Sequence, residues 1–165
     1  MDFFDLNSLQ ADLGIVLRLL IAMVLTGFLG WERESAGKAA GIRTHLLVGI
    51  GTVLFVALGD LFIMRYQHLG EIMRSDPIRI VEAVVTGISF LGAGTIFLSK
   101  DKGRIEGLTT AASILATAAV GMIVGLEKYF LAIVSTLIIF CVLRLLMFIE
   151  VKHRTGETQN QSDSE

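Results

Sequence analysis

The sequence predicts an all-α integral membrane protein: a bundle of five transmembrane helices, with its N-terminus outside and its C-terminus in the cytoplasm. Three observations predict it. The 165-residue chain is 53 % hydrophobic and only 18 % charged, with a mean hydropathy of +0.70. That leaves too few polar residues to give every helix the wet face that a soluble fold needs. Five apolar runs, 13–30, 46–64, 78–98, 108–126 and 129–149, each approach the roughly 20 residues that carry a helix across a bilayer. Together they occupy most of the chain and leave no room for a separate soluble domain within it. Lys and Arg also alternate between the connections. Arg33, Lys38, Arg43, Lys100, Lys102, Arg104, Lys152 and Arg154 fall on one side, against Arg65, Arg74 and Lys128 on the other. The richer side is cytoplasmic, because translocation retains basic loops there.

Residues 1–12, MDFFDLNSLQAD, form a short extracytoplasmic N-terminus. The stretch is acidic and lacks the basic start of a secretory signal, so the first span is expected to be retained. That span closes on FLGWERE, with Trp31 as an interface anchor. The second opens on Arg43, Thr44 and His45. Asp76 and Pro77 start the third: Asp accepts cap hydrogen bonds, and Pro at a first helical position gives up no needed donor. Pro77 is the only proline, so no span is kinked by proline. Gly103 and Gly107 flank the third loop. Residues 150–165 form a polar cytoplasmic tail without apolar periodicity, expected to be disordered.

The spans carry unequal loads. The fourth, LTTAASILATAAVGMIVGL, is built of small residues, with Gly121 and Gly125 in GxxxG spacing and Thr109 and Thr110 at its start, after Gly107. Small residues let membrane helices approach closely, where packing and hydroxyl hydrogen bonds replace the missing hydrophobic force. The third has the same character around Gly87, Gly92 and Gly94. These two are expected at the centre of the bundle, with the Leu-, Ile- and Phe-rich fifth against lipid. FLG followed by GIRT (41–44) also resembles FLG followed by GLTT (107–110). A parallel duplication of a helix pair and chance recurrence both fit that likeness.

Ionisable residues inside a membrane are costly and mark candidate sites. Arg18, Asp60 and Glu82 fall at comparable depth near the outer ends of spans one to three, so one Arg and two carboxylates are placed to pair. Glu32, Arg33 and Glu34, facing Arg43 and Thr44 across the first loop, form an inner-face cluster. Arg144 of span five lies at similar depth. Ordinary interfacial charge, and a wet outer rim, are the plainer readings of the same residues. Other chemistry is sparse. His45, His68 and His153 are too dispersed for a zinc or haem site, no nucleophile–base or phosphate-loop motif occurs, and no cofactor is expected. The single Cys141 allows no intramolecular disulfide. No basic stripe suggests nucleic acid. Glu32, Glu34, Asp60 and Glu82 supply oxygen ligands suited to Mg²⁺ or Ca²⁺, a signal too general to name a metal.

GWERE…GIRTHLLVGIG, DPIRIVEAVVTGISFLGAGTIF and GLTTAASILATAAVG, in that order over about residues 13–149, resemble the MgtC/SapB (YhiD) family of bacterial membrane proteins. The family's pattern maps onto Gly30, Glu32, Arg33 and Glu34, then Arg43 and Thr44, then Gly87 and 90–94, then 107–112. Ala83, Ser89 and Leu115 depart from residues common in the family. The longer members add a soluble C-terminal domain, and this chain is expected to lack it. The resemblance implies a multi-pass protein of the bacterial inner membrane, linked to growth under magnesium limitation. It implies a non-enzymatic modulator of other membrane proteins, among them ATP synthase and transporters. The alternative is a small Mg²⁺ or proton transporter or channel using the intramembrane carboxylates. The bilayer, other membrane proteins and a second copy of the chain are the expected partners.

Overall fold

The computed structural model describes residues 6–66, 77–99 and 104–162 of the chain. Five helices and one small hairpin make up the fold: α1 (Leu6–Ser35), α2 (Ile42–Tyr66), α3 (Pro77–Ala93), β1 (Phe97–Ser99), β2 (Arg104–Glu106), α4 (Leu108–Gly125) and α5 (Tyr129–Ser162). Among the described residues, three helices, α1, α2 and α4, are long and apolar enough to cross a membrane by length and composition. The apolar run 129–149 opens α5, and its side chains are described as far as Leu145. The helix then continues to Ser162, where the sequence reading expects a disordered tail. Asp76, Lys100 and Lys102 lie outside the described residues.

The third apolar run does not stay helical to residue 98. α3 stops at Ala93, and Thr95 folds back so that its amide and hydroxyl both donate to the Gly92 carbonyl, at 2.9 and 2.7 Å. Residues 97–99 then pair antiparallel with 104–106, Phe97 opposite Glu106. The cause is local: Gly92 and Gly94 weaken the helix, and the Ile-Phe-Leu that follows suits an extended backbone. Hydropathy alone does not tell a short apolar strand from the end of an apolar helix.

The centre also differs from the expectation. α4 touches each of the other four helices and packs most on α2 and then on α3, whereas α3 itself meets chiefly α4 and, more lightly, α2, and α2 is the helix most shared with α1 and α4. Gly121 and Gly125 face α2. A Cβ on Gly121 would stand 3.0 Å from the Gly49 carbonyl, and one on Gly125 would stand 2.8 Å from the Val56 Cβ. Gly49 in turn lies against Thr26 of α1. Ala22, Val53, Val124 and Ala132 form one buried cluster and Ala40, Val48, Ile114 and Ala118 another, with Ile88 of α3 against its edge. On α3, Gly92 meets Ala111 at ordinary contact, whereas a Cβ on Gly87 would meet nothing within 4 Å, and Gly94 lies in the turn. Thr109 is exposed and Thr110 buried. Small residues permit close approach without requiring it: Gly121 and Gly125 of α4 meet α2, and of Gly87, Gly92 and Gly94 only Gly92 meets α4. α5 packs on α1 and α4, with Phe28 and Phe140 stacked at 4.5 Å, and leaves Phe130, Leu137 and Ile138 exposed.

Candidate functional site

The FLGWERE stretch that closes α1 builds the site. Gly30 lets α2 start in contact with α1: a Cβ there would sit 2.7 Å from the Ile42 Cα and 2.9 Å from the His45 Cβ. α1 ends in a Schellman turn, with Lys38 N–H donating to the Arg33 carbonyl, Gly37 N–H to that of Glu34, and Gly37 at φ +65°. The chain then reverses through Gly41. The Glu34 carboxylate accepts the Ile42 N–H at 2.8 Å, satisfying one of the orphan donors that begin α2.

Inside this elbow Glu32 and Arg33 are 1 % and 2 % exposed. They form a fork: Arg33 Nε donates to Glu32 Oε2 at 2.5 Å and Nη2 to Oε1 at 2.8 Å. Neighbours in a helix normally diverge by about 100°, so both side chains must turn back to meet. Burial supplies the reason. A lone ion at this depth costs several kcal/mol, and a bidentate pair offsets most of that. His45 completes the elbow. It is fully buried, its Nδ1–H donates to the Gly41 carbonyl at 2.9 Å, and its Nε2 has no partner among the described groups. The sequence reading set His45 aside as too far from other histidines. Its signal was the i−4 spacing to Gly41 at the start of α2, which only the folded elbow makes meaningful.

The expected inner-face cluster therefore divides. Glu32 and Arg33 are buried together, and Glu34 caps α2 from an exposed position. Arg43 and Thr44 face away and line a groove between α2 and α3. Arg144 is exposed on α5. A helix turns 100° per residue, so residues 43 and 44 cannot share the face that packs His45 against α1.

The second charged group lies at the opposite end of the bundle. Arg18, whose side chain is 15 % exposed, contacts Glu127 Oε1 at 2.8 Å and Asp60 at 3.6 Å, and its Nη1 donates to the Gly125 carbonyl at 3.0 Å. Glu82 is not part of it. It is exposed on α3 and pairs with no basic group among the described residues. The missing acid is Glu127, which has no motif to reveal it. It occupies the left-handed position of a second Schellman turn at φ 61°, with Glu127 N–H donating to the Val124 carbonyl and Lys128 N–H to that of Ile123. Glycine is the usual residue there, so a carboxylate costs about 1 kcal/mol of backbone energy in exchange for reaching Arg18. Glu127→Gln keeps the backbone and removes the charge. It is expected to lose below about 1 kcal/mol, a loss that fades as salt screens the half-exposed pair. Thermal unfolding in detergent at two salt concentrations reads it.

Among the described residues, no three of His, Cys, Asp and Glu stand close enough to share a metal ion. Between the two charged groups the hydroxyls turn inward on their own helices. Thr26, Thr52, Thr117 and Thr136 each donate to the carbonyl four residues earlier.

Long apolar helices, packed through glycines, with a buried ion pair at one end and a half-exposed one at the other, define a helical membrane protein. The chain belongs to the MgtC family, whose model matches residues 19–152. It is 42 % identical to "Putative magnesium transporter YhiD" of Escherichia coli strain K12 over 133 residues, 79 % of this chain and 59 % of that protein. It is 37 % identical to protein SrpB of Synechococcus elongatus, covering 77 % of this chain and 72 % of that one. To protein MgtC of Brucella abortus strain 2308 it is 38 % identical, covering 76 % and 48 %. The chain thus spans little more than half the length of several relatives. No solved structure matches it.

Proposed function

We infer that the chain is a non-enzymatic modulator of other membrane proteins in the bacterial inner membrane, acting in adaptation to low magnesium. In this reading all five helices cross, with the N-terminus outside and the C-terminus in the cytoplasm, as the distribution of Lys and Arg favours. The observation that carries it is the way the charges are spent. Arg33 is matched by Glu32, and Arg18 by Glu127 and Asp60. The core between the two groups is apolar side chains and hydroxyls bonded to their own helices. An ion crossing such a core would meet no replacement for its hydration shell. A buried, paired elbow is instead suited to hold the ends of α1 and α2 in one shape, for another protein to recognise.

YhiD's name favours a second reading, direct magnesium transport, with Asp60 and Glu82 at one side and Glu32 at the other. The two separate in vesicles. The full chain is reconstituted alone into proteoliposomes holding a magnesium-sensitive dye or a pH dye, and a strain deleted for its gene is grown at low magnesium. The expected result is flux no greater than in empty vesicles, together with growth that depends on the chain. Flux in the wild type that Asp60→Asn with Glu82→Gln abolishes would overturn the modulator reading.

A further inference from the structure

α2 and α3 run antiparallel, with Ile80 against Gly59 near one end and Ile88 packed by the Val48 cluster toward the other. They do not close on each other in between. An open groove of about 890 Å³ runs along them, lined by apolar side chains such as Leu47, Phe55, Ala83 and Leu91. Two lining positions, Gly51 and Gly87, would carry a Cβ with nothing within 4 Å. The charged lining residues are Arg43 and Arg79. Because the helices are antiparallel, each Arg sits in the first turn of its own helix and the two mark opposite ends of the groove. Neither pairs with a carboxylate among the described residues. From residue 43 to Phe62, which lines the far end, α2 rises roughly 29 Å. That is close to the ~30 Å hydrocarbon thickness of a bilayer.

A cation at each end, with apolar surface between at the thickness of the hydrocarbon layer, complements the membrane's own pattern of phosphate, acyl chains and phosphate. We propose that this groove is a binding site for anionic phospholipid, one from each leaflet, with acyl chains along Gly51 and Gly87 and phosphates on Arg43 and Arg79. Guanidinium takes a phosphate in a two-pronged hydrogen bond, and the positive end of each helix dipole adds to it. A helix from a second copy fits less well. It would need an acid at both levels, and the exposed apolar face of α5 has Arg144 as its one charged side chain between residues 129 and 145.

The test uses the full chain, taken into mild detergent from vesicles of equal parts phosphatidylglycerol and phosphatidylcholine with the same acyl chains. Native mass spectrometry counts the lipids that stay bound. Phosphatidylglycerol is expected to be retained about tenfold over phosphatidylcholine, the size of one charge-assisted hydrogen bond. Arg43→Gln with Arg79→Gln should remove that preference, and Gly51→Leu with Gly87→Leu, which grow into open space, should remove both lipids. Circular dichroism checks that each variant is folded, and if the leucine variant is not, the arginine variant decides alone. Equal retention of the two lipids by the wild type, or a preference that survives loss of both arginines, would overturn the proposal. So would a dimer that the leucine variant dissociates, since the occupant is then a second copy.

Discussion

Arg33→Met is expected to destabilise the protein by about 3–5 kcal/mol, the cost of leaving a buried carboxylate without its partner. Glu32 is 1 % exposed and both its oxygens are held by Arg33. Both donors to that carboxylate are lost together, and the buried charge stays uncompensated or drags the end of α1 outward. Glu32→Gln leaves the converse problem, a buried guanidinium, and is expected to cost a similar amount. The informative variant is the double one. Glu32→Gln with Arg33→Met buries no charge at all, and paired replacements of this kind are often near neutral. It should therefore be more stable than either single variant. Unfolding in micelles, followed by circular dichroism against temperature or added denaturing detergent, measures all three. Singles within about 0.5 kcal/mol of wild type would mean that the elbow is wet. A double variant as weak as the sum of the singles would mean that the fork is not the interaction that matters.

Gly107→Ala carries the second large effect, about 2–5 kcal/mol, from two sources that add. Gly107 has φ +92°, and a side chain there costs roughly 1–2 kcal/mol. A Cβ would also overlap the carbonyl oxygen of Thr95, which is backbone and cannot swing away. Relieving that overlap shifts the hairpin against the start of α4 and costs about 1–3 kcal/mol more. Gly51→Ala and Gly87→Ala are the matched controls. Both are helical, with nothing within 4 Å of the new methyl, so each should be neutral or stabilising by up to ~1 kcal/mol. If Gly107→Ala unfolds with the wild type, the turn before α4 has another conformation. If Gly87→Ala destabilises, α3 packs more closely than the open groove allows.

These two positions show what could be read without coordinates. Glu32 and Arg33 stood out because charges beside an apolar run are costly, a property of composition and order alone. Gly107 reads from the sequence as a loop boundary and as part of GLTT, but its positive φ depends on where the hairpin places Thr95. Gly87, Gly92 and Gly94 looked alike, yet one faces a groove, one touches Ala111 and one lies in a turn. Arg18 and Asp60 were placed at one level by counting residues. Glu127 has no such signal, because it sits in a short connection and reaches Arg18 through the geometry of a helix cap.

The helical membrane class, the five helices and most of their ends, though not the hairpin after α3, follow from the order of residues alone. Hydropathy acts over a few residues at a time and needs no partner. The tertiary structure alone decided that α2 and not α3 shares the centre with α4. It also turned Arg43 and Thr44 away from Glu32, and brought Glu127 and His45 into the two charged ends. Which face of a helix meets which neighbour is a sum over many weak contacts between distant residues. In a membrane, where every face is apolar, no hydrophobic stripe marks that choice in advance.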